Sequence, residues 1–386
     1  MFFLNTHLAG KPAVKLICCA LLALCLGSCK PGFENTDSGN SDDDDNDGDA
    51  SSISFIGTGA GSSWLLDIVD NDSFDLALKT RPGGTLVMSV GGTYEDLSSD
   101  FSRLQVSSAN GTDAPALDSY LPALRLANQL LLLQHWNTSG DLIPFIPDTD
   151  CPTLDFTANW IQLIAPGGSQ ANDADTPFLG TMDYDLDNEQ IVIDERYALT
   201  EDFPDLGAAE DLPTGTCDGG FAREDDDHFF FADNGTALVH RNIDSNDESL
   251  WLALPSATIS VSELDGSYIG FWIDNARVGS ERLWNVTMEC TAGSCPVERI
   301  TDIADLNSLA NERFQIELDE DAIDPPRQGF VAGTTEVSIG IITDTGHLVC
   351  IASDDFNDTG DKLLACVGQS PSNPQLTVNG FFIAED

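Results

Sequence analysis

Four histidines, His135, His228, His240 and His347, are the bases left once the N-terminal leader described below is set aside. A serine nucleophile needs such a base, itself oriented by a carboxylate. Acids are so abundant in this chain that an Asp close to a histidine in sequence carries no information. There is no G-x-S-x-G elbow and no H-E-x-x-H motif, so no catalytic, cofactor-binding or metal-ligating residue is assigned. His228 and His240 flank Asn234-Gly235, the strongest short hairpin signal in the chain. A two-residue turn places them on opposite sheet faces, and only a three-residue loop joins them as a transition-metal pair. Gly57-Thr58-Gly59-Ala60-Gly61-Ser62 has the composition of a phosphate-cradling loop, but Trp64–Val69 after it reads as a strand rather than a helix. A hairpin turn accounts for it.

Oxygen ligands recur in three places. Asp43, Asp45, Asp47 and Gly48 match the opening of a calcium loop, but the twelfth position is Ser54 and no helix flanks it. Asp183, Asp185, Asp187 and Asn188, with Asp194 twelfth, fit better. The same letters describe a strand with Met182, Tyr184 and Leu186 inward and acids outward, ending in an Asp-Asn turn. Flanking strands favour that second reading, as they do for the acidic turn Asp354, Asp355, Asn357, Asp358 and Asp361.

The elements that must carry these residues are overwhelmingly β. Short apolar or alternating runs between turn residues predict strands from 52–57 through 158–164, and again from 178–186 to 375–384. Two helices are expected, near 115–126, where Leu117, Tyr120, Leu121 and Leu124 share a helical face, and near 302–311. Residues 169–176, within the Gly- and Asp-rich stretch 165–177, read as a linker. The expectation is therefore an all-β chain of two antiparallel modules, barrel or sandwich, at 51–168 and 177–386, with a barrel-like core at 228–386. So many sequential strands must close or stack to hide their edges.

The chain opens with Lys11 and Lys15 and no acid, then the apolar run Leu16–Leu26, then Gly27-Ser28-Cys29. A positive start, a short apolar core and small residues are the parts of an export signal, and the run is shorter than the roughly 20 residues needed to span a bilayer. Leu26-Gly27-Ser28-Cys29 resembles the lipobox of bacterial lipoproteins. That resemblance implies a signal peptide at 1–28 and lipid attachment at Cys29, through a diacylglycerol thioether and an amide-linked acyl chain. Two or more acyl chains make a stable anchor in the lipid bilayer. Lys30 stands where enteric relatives of this family carry an Asp to stay in the inner membrane, which implies the outer membrane. Residues 29–50 are dense in Asp and nearly free of apolar side chains, as expected of a disordered tether.

Composition excludes one class of partner. The whole chain has net charge −49, and removing the two leader lysines leaves 14 basic against 65 acidic residues, or −51. Nucleic acid is recognised by Lys and Arg neutralising phosphates, so it is excluded. Six cysteines remain after the leader and Cys29, an even count that suits three disulfides in an oxidising compartment. Cys290 and Cys295 close a tight hairpin, Cys350 and Cys366 oppose each other across the acidic turn, and Cys151 and Cys217 are left to pair across the linker. Leu264-Asp-Gly-Ser-Tyr-Ile-Gly-Phe-Trp272, leading into a meander, resembles the opening of a calycin-type barrel of the lipocalin kind. That resemblance implies an up-and-down barrel that holds a small apolar ligand or is filled by its own side chains. The combined expectation is an envelope lipoprotein acting as a binding or assembly module, for an apolar ligand or an envelope protein. The alternatives are an exported hydrolase on a β scaffold and an adhesin-like display spacer.

Overall fold

The computed structural model describes residues 52–385 except 60–61, 71, 81–83, 99, 127–129, 137–141, 149, 164–178, 200–202, 204, 210, 233–236, 243–248, 256–258, 275–281, 304, 321, 323–328, 340–341, 354–361 and 374–375. The leader, Cys29, the tether, the linker stretch 169–176, the Asn234-Gly235 turn and the acidic turn around Asp358 lie outside the described residues.

The first eight strands are β1 (Ser52–Gly59), β2 (Ser62–Val69), β3 (Ser73–Lys79), β4 (Leu86–Asp96), β5 (Phe101–Gly111), β6 (Tyr120–Leu126), β7 (Leu130–Gln134) and β8 (Leu142–Pro147). They pair in sequence order, and β1 meets β8 to close a barrel. Alternation builds its core. Along β2, Trp64, Leu66 and Ile68 turn inward to meet Phe55, Phe74, Leu104 and Phe145. The glycine run resolves as expected, since Gly59 pairs with Ser62 at the tip of the β1–β2 hairpin.

The next eight are β9 (Phe156–Gln162), β10 (Leu179–Asp185), β11 (Gln190–Tyr197), β12 (Leu212–Pro213), β13 (Phe221–Glu224), β14 (Asp227–Phe231), β15 (Leu238–Asn242) and β16 (Ser249–Pro255). They form one sheet in the order β12-β11-β10-β9-β16-β15-β14-β13. The sheet curls strongly: Tyr184 on β10 lies 5.0 Å from Phe231 on β14, although three strands separate them in the order.

A 3-10 turn at Val261–Leu264 precedes the last eight strands. These are β17 (Gly266–Asp274), β18 (Leu283–Cys290), β19 (Ser294–Asp302), β20 (Asp305–Asp319), β21 (Phe330–Ile339), β22 (Ile342–Ser353), β23 (Leu363–Gln369) and β24 (Thr377–Ala384). They run up and down in order and close through β17–β24. The calycin-like opening thus begins a closed barrel, and its glycine has a physical role. A Cβ on Gly270 would sit 1.8 Å from the Phe381 carbonyl oxygen, so the closing seam needs a residue without one.

Three expectations are corrected. Instead of two modules there are three β units, because β9, N-terminal to the linker stretch, pairs with β10 and β16 beyond it. The C-terminal barrel accordingly begins at Gly266, not near 228. Neither expected helix forms. Residues 120–126 are β6, whose Leu121 and Ala123 enter the first barrel while Leu124 and Leu126 pack on its outside. Burial on both faces imitates helical spacing, and Pro122 would interrupt a helix. Residues 302–311 turn from β19 into β20, with Asp302 opposite Asp305 and Ile300 opposite Leu309.

A shared apolar layer joins the units. The convex face of the middle sheet (Ile161, Leu179, Phe230, Val239, Leu252) packs with outer-wall residues of the first barrel (Leu124, Leu132, Ile146) and of the last (Phe271, Val349, Phe381). Its concave face is lined by Trp160, Met182, Tyr184, Phe229, Phe231 and Leu238.

Candidate functional site

The six cysteines form three bridges, Cys151–Cys217, Cys290–Cys295 and Cys350–Cys366. The last two lie inside the C-terminal barrel with Tyr268, Trp272, Met288, Leu348 and Phe382. The interior that would receive an apolar ligand is therefore occupied by side chains and two disulfides. Cys151 precedes β9 and Cys217 lies between β12 and β13, so that bridge fastens the middle sheet to itself and does not tie two modules together.

The acidic repeat on the β10–β11 hairpin serves local structure. Asp183 accepts from Thr157 Oγ1 at 2.6 Å. Asp185 accepts from the Asn188 backbone at 3.1 Å and from its amide at 2.7 Å, and these bonds hold its carboxyl below the usual range. Asp194 is pushed up by burial and by neighbouring Asp183. Among the described residues, no three His, Cys, Asp or Glu side chains converge as a metal site would require.

The two hairpin histidines part company. Phe229 pairs with His240 and His228 with Arg241, which sets the histidines on opposite faces, as an even-numbered turn requires. His240 is 2 % exposed on the concave face. Its Nε2 meets Asp227 Oδ1 at 2.8 Å, and Asn242 Nδ2 donates to the same oxygen at 3.0 Å. Burial works against the Asp227 carboxylate, but the His240 and Asn242 contacts outweigh it and hold its pKa below the ordinary value. His240 stacks on Phe229 at 4.8 Å and meets Trp251 at 4.6 Å, and Trp251 stacks on Trp160 at 4.5 Å. His240 Nδ1 and Trp160 Nε1 are buried without hydrogen-bond partners. With the proton on Nε2, directed at the carboxylate, Nδ1 is a buried acceptor.

Such a pair is the base half of a triad, yet no described hydroxyl hydrogen-bonds to His240. The buried Ser102 hydroxyl is held instead by Tyr94 and Asp96, at 2.6 Å each. His135 stacks on Trp136, and His347 lies edge-on to Phe203.

On the convex face, Arg223, His228 and Arg241 are direct partners across β13, β14 and β15. Burial, then Arg223 and Arg241, hold His228 down to about 4. Sequence reasoning passed over both arginines, since only the strand register shows that they flank a histidine.

Elsewhere the surface shows a further group. Leu86, Val87, Leu117 and Tyr120 are 54 %, 42 %, 60 % and 39 % exposed. All four lie where β4 begins, β5 ends or β6 begins, the end of the first barrel opposite Ser52. Trp136 Nε1 donates to the Asp113 carbonyl at 2.7 Å, pinning the β5–β6 loop that carries Leu117.

No protein-family model matches the chain, and no curated protein matches it. Among solved structures it is similar to a double mutant of the vaccine antigen transferrin binding protein B from Haemophilus parasuis Hp5, at 9% identity and TM-score 0.28, over 84% of this chain. It is also similar to intact Ap-TbpB with its N and C lobes, at 9% identity and TM-score 0.26, over 84% of this chain and 66% of that one. A third is the isotype 1 transferrin binding protein B of serogroup B Neisseria meningitidis, at 9% identity and TM-score 0.24, over 85% of this chain and 66% of that one. The chain spans 65% of the length of the Haemophilus parasuis structure.

Proposed function

We propose that the mature chain is a lipid-anchored protein of the bacterial envelope, held at the outer membrane through Cys29, that binds a protein partner on its outer surface. The observation carrying this reading is the exposure of Leu86, Val87, Leu117 and Tyr120 at one end of the first barrel. Large exposed apolar side chains on a strongly acidic protein suit a contact surface. The first described strand begins at the other end of that barrel, at Ser52. The filled barrel interiors favour surface recognition over storage of a small ligand.

The hydrolase alternative draws on the Asp227–His240 pair. A nucleophile at His240 Nδ1 would be needed to raise it.

A photo-crosslinking residue at Leu117, in bacteria making the full chain, tests the binding surface. Discrete adducts at Leu117, lost when Leu86 and Val87 become Asp and absent with the probe at exposed Leu154, are expected. Equal labelling at Leu117 and Leu154, or none at either, would overturn the proposal.

A further inference from the structure

Of the three disulfides, one differs in its surroundings. Cys290, Cys295, Cys350 and Cys366 are each at most 2 % exposed, sealed in the C-terminal barrel with Tyr268, Trp272 and Phe382. Cys151 and Cys217 are partly exposed. Exchange begins with a thiolate attacking one sulfur, so access separates the bridges before any other property does. The accessible bridge also holds a seam. The curled middle sheet ends at β12 and at β13, and residues 214–220 connect those two strands. The connection lies against β13: a Cβ on Gly215 would sit 2.6 Å from the Arg223 carbonyl oxygen. Both its ends are fixed, the Thr214 N–H donating to the Glu189 carbonyl at 2.8 Å and the Phe231 N–H to the Gly220 carbonyl at 2.7 Å. Between them Cys217 packs against the concave core of Trp160, Tyr184, Phe229 and Phe231, and its bridge reaches back to the segment before β9. The charge around the bridge is negative. Asp150 and Asp218 adjoin the two cysteines and are exposed, and Glu189 Oε1 accepts from Thr216 Oγ1 at 3.4 Å. Carboxylates repel an incoming anionic thiol and destabilise the cysteine thiolate that must leave.

We propose that Cys151–Cys217 is a thiol-exchange site: a dithiol reductant whose attacking end carries positive or no charge opens this bridge, leaves the other two intact and frees the connection 214–220. The reductant's first thiolate attacks one sulfur, the S–S bond breaks, and the other cysteine leaves as a thiolate and takes a proton. The reductant's second thiolate then attacks its own sulfur in the mixed disulfide, releasing the remaining cysteine, which is protonated in turn. The chain gains two electrons and two protons, and the reductant is oxidised to its disulfide. Once free, Cys217 no longer holds the connection on the concave core, and the seam between β12 and β13 opens to water.

The test uses the full mature chain in detergent near neutral pH. Dithiothreitol is added, samples are alkylated at intervals, and the cysteine peptides are mapped by mass spectrometry. Cys151 and Cys217 should be alkylated together, about tenfold or more sooner than the other four cysteines. Hydrogen exchange of the chain at that stage should quicken in residues 214–224 and stay unchanged in β22, which carries Cys350. Cationic cysteamine and anionic 2-mercaptoethanesulfonate are then compared at equal thiolate concentration, each rate divided by its rate with 2-hydroxyethyl disulfide. Cysteamine should be favoured by about tenfold at low salt, a preference that high salt removes. Three results would each overturn the proposal. The first is alkylation of the buried cysteines as fast as of Cys151 and Cys217, or of none short of unfolding. The second is unchanged exchange across residues 214–224 of the reduced chain, which would mean that the bridge fastens nothing. The third is equal corrected rates for the two charged thiols.

Discussion

His228 is buried neutral beside two arginines, and its lowered pKa makes stability depend on pH. Its value is about 4 in the folded chain against 6.5 as the ordinary value, so between these limits the unfolded chain binds the extra proton. Stability is then fully present above about pH 6.5 and falls as pH drops toward 4. Asp227, whose pKa is lowered, adds a loss that begins only below its ordinary value of 3.8. Urea unfolding of the wild type should show a falling midpoint from pH 6.5 to 4, and His228→Gln should remove part of that slope. An unchanged slope in the variant would mean that His228 titrates normally. None of this could be read in advance. Asn234-Gly235 marks a turn and implies opposite faces for the two histidines, but not which partners each one meets.

At the scale of elements, alternation made most strands legible, and small residues or direct opposition made the disulfide partners legible. The misread pieces fail for one reason: a strand buried on both sides loses the period of two. Along β6, Leu121 and Ala123 enter one core and Leu124 and Leu126 another, so the letters carry helical spacing. The linker was misplaced because a long connection inside a sheet has the same composition as one between domains. Gly270 shows the opposite case, in which a short motif carried real geometry. Gly270→Ala would drive a Cβ to 1.8 Å from the Phe381 carbonyl oxygen, forcing the β17–β24 seam apart. A loss of about 2–3 kcal/mol is expected, the cost of overpacking a closed strand pair. Denaturant unfolding would check it, and a loss below about 0.5 kcal/mol, the usual range of surface substitutions, would mean that the seam relaxes freely.

At the scale of the whole molecule, one apolar layer takes residues from the first barrel, the middle sheet and the last barrel. Hydrogen bonds cross the same boundaries, from Arg241 to Thr58 and from Asn379 Nδ2 to the Gln162 carbonyl. The three units should therefore unfold as one. Tryptophan fluorescence and far-UV circular dichroism are expected to give superimposable urea curves, and two separated transitions would mean that the shared layer is weak. Barrel interiors occupied by buried side chains suit recognition at the surface, and the reading of where the protein works rests on the four letters Leu26-Gly27-Ser28-Cys29. That central claim is tested most directly by mass spectrometry of the N-terminal peptide from membranes of cells making the full chain. The account predicts a peptide that begins at Cys29 and carries a diacylglycerol thioether, and a Cys29→Ala variant that leaves the membrane or persists as uncleaved precursor. An unmodified Cys29, or a Cys29→Ala protein cleaved and membrane-bound as before, would contradict it.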